Sequence, residues 1–165
     1  MLRILLAAIA AALLAACAGP GATRLLETGL DESTLRQRWG EPTGRYVLPT
    51  GTRLEYATGP YGWETWMVDL DASGRVTGWN QVLGYGRLTE LQMKLPQMNR
   101  EQLLLAIGRP GERRSGGRQG GEVWSWRFDS PFCLWFQVGV AGDGSLRGGA
   151  FTPDPLCDGP DDDRQ

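Results

Sequence analysis

Few residues in this chain could do chemistry, and the missing ones decide as much as those present. The 165-residue sequence contains no histidine. That removes imidazole as a general base, every Ser-His-Asp or Cys-His arrangement, and any histidine metal ligand. Carboxylates remain. Asp69, Asp71 and Asp143 could serve as acids or Ca²⁺ ligands, but aspartates beside glycine in hairpin turns account for them more simply. Glu55 and Glu64 are the paired candidates inside strands. They fall on different strands with nothing nearby to shift a proton affinity, which argues against glycosidase-type chemistry. Arg113, Arg114 and Arg118 form the one basic cluster, which reads as a solvated loop before it reads as a site for anionic headgroups. There is no Cys-x-x-Cys pair and no glycine-rich phosphate loop. A net charge of −2 offers no polyanion-binding surface, so no nucleic-acid partner is expected. The residues imply no catalytic site, no metal and no cofactor.

The three cysteines carry more information. Arg3 supplies a short positive region, Ile4 to Leu14 is an apolar run too short to span a bilayer, and Leu14-Ala15-Ala16-Cys17 follows. This resembles the bacterial lipobox, in which the cysteine is acylated and becomes the first residue of the mature chain. Residues 1–16 are then a lipoprotein signal peptide and 17–28 a tether. Palmitate-type acyl chains on Cys17 would give firm membrane anchoring. Ala18 in the next position, by resemblance to the lipoprotein sorting rule, favours the outer membrane, with the protein on its periplasmic side. Once Cys17 is acylated, Cys133 and Cys157 are the only thiols left. An oxidising periplasm favours a disulfide between them. Cys133 opens a strand whose returning partner ends near Pro153, and Pro153-Asp154-Pro155 can turn the chain back toward it.

The elements that must position these residues follow one pattern used twice. Leu30–Pro42 and Met98–Pro110 lie 68 positions apart and align without a gap. Each has an N-cap (Asp31, Asn99), a hydrophobic staple (Leu30 with Leu35, Met98 with Leu103), a bulky apolar residue one turn on (Trp39, Ile107), and then Gly-x-Pro. Each is followed by strand candidates. These are Arg53–Ala57, Trp63–Leu70 and Val76–Leu83 in the first copy, and Glu122–Phe128, Phe132–Val140 and Ser145–Phe151 in the second. The expected fold class is α+β: two tandem repeats, each a helical segment packed on a three-stranded antiparallel sheet. The repeats span 29–83 and 98–157, joined by a linker at 84–97. In that linker Leu88, Leu91 and Leu95 have helical spacing. Arg109–Gly121 reads as a mobile loop, and 158–165 as a disordered acidic tail.

Strand alternation assigns Trp66, Val68, Leu70, Leu134, Phe136, Val138 and Val140 to the helix-covered faces. With Leu70 opposite Val76 and Val140 opposite Leu146, the open faces would carry Trp63, Met67 and Trp79 in the first copy, and Trp135 and Phe151 in the second. These five are the expected partner-binding residues. Two alternatives stay open: that another part of the chain covers this face, or that the register slips by one and inverts it.

The lipobox, the helix with its Gly-x-Pro stop and the antiparallel meander together resemble the SmpA/OmlA (BamE-like) family of outer-membrane lipoproteins. The matching residues are Gly29-Leu30-Asp31, Leu35, Gly40-Glu41-Pro42, Gly59-Pro60-Tyr61-Gly62 and Asp69–Val76. The second copy offers Met98-Asn99, Leu103, Gly108-Arg109-Pro110 and Asp143-Gly144. The tandem form also resembles the architecture of β-lactamase inhibitory proteins. The resemblance implies a non-enzymatic envelope scaffold whose partner is another envelope protein, the outer-membrane β-barrel assembly machinery being one candidate. The tandem form implies an alternative, a periplasmic inhibitor that grips a partner with an aromatic sheet face.

Overall fold

The computed structural model describes residues 26–58 and 63–157. The stretches read as a signal peptide and, with Cys17, as most of a tether, together with Gly59-Pro60-Tyr61-Gly62 and residues 158–165, lie outside the described residues.

The two cap-to-stop stretches are short helices, α1 (Glu32–Trp39) and α3 (Arg100–Ile107). Asp31 accepts the Thr34 amide at 2.9 Å. Asn99 and Gln102 form a reciprocal capping box, each side chain accepting the other residue's backbone N–H at 2.9 Å. Gly40 (φ 80°) and Gly108 (φ 78°) end the helices in a conformation that other residues resist. Each N-cap also makes a lone bridge into its sheet, Asp31 with Arg75 and Asn99 with Ser145. Between the copies, the Leu88-Leu91-Leu95 stripe folds as α2 (Tyr85–Lys94) and a following 3-10 turn, with all three leucines buried. The stretch read as a linker is thus part of a core.

Each sheet has four strands, not the three expected from sequence. The first runs β1 (Gly44–Leu48), β2 (Gly51–Thr58), β3 (Glu64–Asp71), β4 (Val76–Gln81). The second runs β5 (Glu112–Ser115), β6 (Glu122–Arg127), β7 (Leu134–Val140), β8 (Leu146–Pro153). Both are antiparallel meanders in sequence order. The additional strands are β1 and β5, which lie at the sheet edges. An edge strand pairs through its backbone, and its side chains can stay polar. Glu112-Arg113-Arg114-Ser115 contains no apolar residue, so alternation had nothing to register. The stretch read as a mobile loop holds this strand. The α+β class stands; a helix on a three-stranded sheet does not.

The layers run α1, first sheet, α2 and α3, second sheet. Leu35 and Trp39 of α1 pack with Leu54, Val68 and Leu70 on one face of the first sheet. Met67, from the opposite face of that sheet, belongs to the second core, with Leu88, Leu103, Ile107, Trp124, Trp126 and Phe136. Helix α3 therefore works on both sides. Its run Leu103-Leu104-Leu105-Ala106-Ile107 is apolar around its circumference, as a sandwiched helix requires. The equivalent run in α1, Leu35-Arg36-Gln37-Arg38-Trp39, exposes its three polar residues because α1 is the outermost layer.

Candidate interaction surface

The face of the first sheet expected to be open is closed by the second repeat. Arg53 donates from Nε and Nη2 to both oxygens of Asp69 at 2.6 and 2.8 Å. Its remaining Nη1 donates to the Leu105 carbonyl at 2.9 Å. A guanidinium at the C-terminal turn of α3 also complements the helix dipole. Beside it, the buried Glu55 accepts the Tyr46 hydroxyl at 2.5 Å and the Arg109 amide at 3.2 Å. A Cβ on Gly108 would fall 2.9 Å from Cδ of Glu55, so the helix stop and this junction need the same glycine. Burial and the hydrogen bond to Glu55 push the Tyr46 phenol upward.

Of the five residues expected to form an aromatic sheet face, only Trp63 is exposed. Met67 is buried under the second repeat, as above. Trp79 is half-buried on the α1-covered face. The pairing Leu70 with Val76 is present, but Asp69 pairs with Gly78. The extra residue, Thr77, is a β-bulge that turns Trp79 to the other side. The same irregularity recurs in the second copy. Val140 pairs with Leu146 while Val138 pairs with Gly149, so Phe151 stands opposite Phe136 on the covered face. Phe151 packs there against Phe136, Phe128 and Tyr85 at ring separations of 5.2, 5.9 and 4.8 Å. Trp135 does lie on the face away from the helices, yet it too is buried. The guanidiniums of Arg127 and Arg114 lie over its ring at 4.6 and 5.0 Å.

That outer face of the second sheet is closed by polar chemistry instead of a helix. The Trp135 indole donates to Thr152 Oγ1 at 2.6 Å, Thr152 to Gln137 Oε1 at 3.0 Å, and Gln137 Nε2 to Ser125 Oγ at 2.9 Å. Of the arginine cluster, Arg113 stacks on Trp124 at 4.2 Å, and Arg114 pairs with Glu112 at 3.2 Å. The carboxylates are likewise structural. Asp71 Oδ1 accepts the Ser73 and Arg75 amides at 2.9 and 3.0 Å. Asp143 accepts the Ser145 amide at 2.9 Å. Amide donors hold both aspartates below the usual carboxylate range. Glu64 is exposed at the start of β3, whereas Glu55 is buried mid-strand. Among the described residues no group of three or more acidic or cysteine side chains could hold a metal ion. Likewise among them, no helix is long and apolar enough to cross a membrane.

Large apolar side chains are exposed at several places among the described residues, at Val47, Trp63, Tyr85 and Met93, and two more lie at the end of the second sheet where β6 turns into β7 and β8 finishes. Phe132 is 71% exposed and Leu156 55% exposed. A disulfide joins the residue after each, Cys133 to Cys157, with Cα atoms 6.0 Å apart. The framework beneath is dense. The Asp154 amide donates to the Cys133 carbonyl at 2.9 Å, and the Cys157 amide to the Asp154 carbonyl at 2.9 Å. Asp154 Oδ1 accepts the Leu156 amide at 3.0 Å, while Oδ2 accepts Arg127 Nε at 2.7 Å in a buried pair. The exposed Pro131, Pro153 and Pro155 limit backbone freedom around the two side chains. The sequence does carry a signal for this surface: Pro131-Phe132-Cys133 and Pro155-Leu156-Cys157 repeat one pattern of proline, large apolar residue, cysteine.

Comparison with protein-family models, with curated proteins and with solved structures finds no match to this chain.

Proposed function

We propose that this chain is a non-enzymatic lipoprotein of the cell envelope, anchored through acylated Cys17 to the periplasmic side of the outer membrane, and that it binds and scaffolds another protein. The observation that carries the binding role is the platform of Phe132 and Leu156. Two large apolar side chains stand in water on a backbone fixed by a disulfide, a buried ion pair and three prolines. Exposed apolar groups that are already ordered bind with little further loss of conformational entropy, which is the design of an interface anchor. The absence of histidine from the sequence and the structural employment of Asp69, Asp71, Asp143 and Glu55 support a role other than catalysis. The lipobox supports the anchor, and the SmpA/OmlA resemblance makes the outer-membrane β-barrel assembly machinery the first partner to test. The inhibitor alternative loses its support with the burial of Met67 and Trp135.

Affinity recovery of the lipidated protein from solubilised envelopes tests this reading. Co-recovery of a membrane assembly complex in stoichiometric amount is expected, and recovery of a single soluble enzyme would favour the inhibitor instead. Cys17→Ser should abolish outer-membrane fractionation; unchanged fractionation would remove the anchor from the proposal.

A further inference from the structure

We propose that the outer edge of β1 is a second protein-binding surface, which takes up an extended segment of a partner as a fifth strand of the first sheet. It lies in the other sheet from the Phe132 and Leu156 platform and is independent of it. β1 pairs with β2 alone. In an antiparallel ladder, alternate residues turn both backbone groups toward the partner strand, and the residues between them turn both away. Leu48 and Gly51 pair across the two-residue turn Pro49-Thr50, which makes Leu48, Tyr46 and Gly44 the inward set. The N–H and C=O of Arg45 and Val47 therefore point away from β2. Outward backbone groups in a row are the complement of another extended chain.

The other three edges are covered or blocked. In β4 the Val76 carbonyl accepts the Gly29 amide at 2.7 Å, the Val76 amide donates to the Leu30 carbonyl at 2.8 Å, and the strand bulges directly after. β8 bulges likewise, its Gly149 carbonyl accepts the Gln92 side-chain amide at 2.7 Å, and it ends in Pro153. β5 is Glu112-Arg113-Arg114-Ser115, an edge guarded by charge. On β1 the one charge is drawn aside, because Arg45 donates to both oxygens of Glu32 on α1 at 2.6 and 3.2 Å. Val47, on the same face as Arg45, is 88% exposed, the most exposed large apolar side chain among the described residues. On the opposite face a cleft of about 390 Å³ opens beside Leu48, lined also by Thr50, Arg53, Asp69 and Thr77. A strand laid along this edge alternates its side chains between the two faces. The segment that fits carries apolar residues beside Val47 and polar ones toward the cleft. A second copy is the poorer occupant. The five residues of β1 extend about 17 Å, too little to bury the roughly 1,000 Å² that a stable dimer needs. A single added segment is held by backbone hydrogen bonds and alternate side chains instead.

The test is site-specific photo-crosslinking of the full-length chain in whole envelopes, with p-benzoylphenylalanine replacing Thr50, exposed in the turn beside the edge, and mass-spectrometric mapping of the adduct. Two further substitutions separate backbone pairing from side-chain contact. Val47→Pro removes the outward N–H, a change that an edge strand tolerates where that group faces solvent. Val47→Thr keeps both the N–H and the branched shape. The expected result is an adduct to a protein segment of alternating polar and apolar residues. Its yield should stay within about twofold in Val47→Thr and fall at least tenfold in Val47→Pro, which leaves a partner carbonyl without its donor. Equal yields in the two variants would show side-chain contact without strand pairing and overturn the proposal. An adduct to a segment without that alternation, to phospholipid or to a second copy, or no adduct, would overturn it as well. A melting temperature of Val47→Pro well below wild type would mean that the Val47 N–H is paired within the sheet, and would also overturn it. All of these outcomes leave the reading of Phe132 and Leu156 in place, since Phe132→Asp/Leu156→Asp tests it separately.

Discussion

Met67 and Gln137 occupy the same place in the two sheets, and only one of them lies beneath a helix. Met67 pairs with Glu55 and Asn80 across the first sheet, and Gln137 with Ser125 and Ala150 across the second. Met67 is 2% exposed in the second core, whereas Gln137 hydrogen-bonds Ser125 on an outer face. The repeat stacks once and then stops. Polar residues finish both outer layers: Arg36, Gln37 and Arg38 on α1, and Ser125, Gln137 and Thr152 on the second sheet. Terminal units of stacked repeats need such polar faces for solubility.

Met67→Ala should therefore destabilise the protein by about 2–5 kcal/mol, the cost of emptying a buried apolar site. Gln137→Ala, at the equivalent position, removes two hydrogen bonds and should cost less, about 1–2 kcal/mol in all. Urea denaturation of both variants checks the contrast. Equal losses would mean that the two faces are covered alike.

The platform's foundation should be energetically prominent. Asp154→Asn breaks a buried ion pair while leaving Arg127 its second partner, Glu112 at 3.5 Å, so a loss of about 1–3 kcal/mol is expected. Removing the disulfide, whose cysteines are 24 residues apart, should cost about 3–4 kcal/mol on the chain-entropy account. Thermal melts of Asp154→Asn and of Cys133→Ser/Cys157→Ser measure both. Thiol labelling of the denatured, unreduced protein should find neither Cys133 nor Cys157 reactive.

Tyr56 sets an alkaline limit. Its hydroxyl is buried with no hydrogen-bond partner among the described residues, and burial pushes its pKa up to about 12. In the unfolded chain the phenol ionises near 10. Its contribution is complete below pH 10 and is lost as pH rises from there toward 12, because only the unfolded state releases the proton in that window. Tyr56→Phe should leave stability at pH 7 equal or raised by up to about 1 kcal/mol. It should also flatten the decline between pH 10 and 12. A large loss at pH 7 would mean that the hydroxyl has a partner.

Legibility in the sequence followed the range of the interaction concerned. Caps and stops are local, so Asp31, Asn99, Gly40 and Gly108 could be read directly from residue type and spacing. The hairpins at Asp71–Gly74 and Asp143-Gly144 were equally plain. Alternation identified β3 and β7 because each carries an apolar row on its helix-covered face, Trp66, Val68 and Leu70 in one and Phe136, Val138 and Val140 in the other. It could not find β5, which has no apolar residue, or β1, where Tyr46, Val47 and Leu48 are consecutive and do not alternate with polar residues. It misplaced Trp79 and Phe151 because one bulged residue per hairpin inverts every side chain beyond it, and nothing in Val76-Thr77-Gly78 announces the extra residue. The burial of Met67 depended on where the second repeat docks. The clue was in α3, where Leu104, Leu105 and Ala106 replace the polar Arg36, Gln37 and Arg38 of α1.

The most direct test of the account is partner recovery by the variant Phe132→Asp/Leu156→Asp, lipidated and matched to wild type for expression and melting temperature. Both side chains are exposed, so the melting temperature should stay within about 2 °C of wild type. The account predicts that the partner recovered from solubilised envelopes falls at least tenfold. Full recovery by a folded Phe132→Asp/Leu156→Asp protein would contradict it.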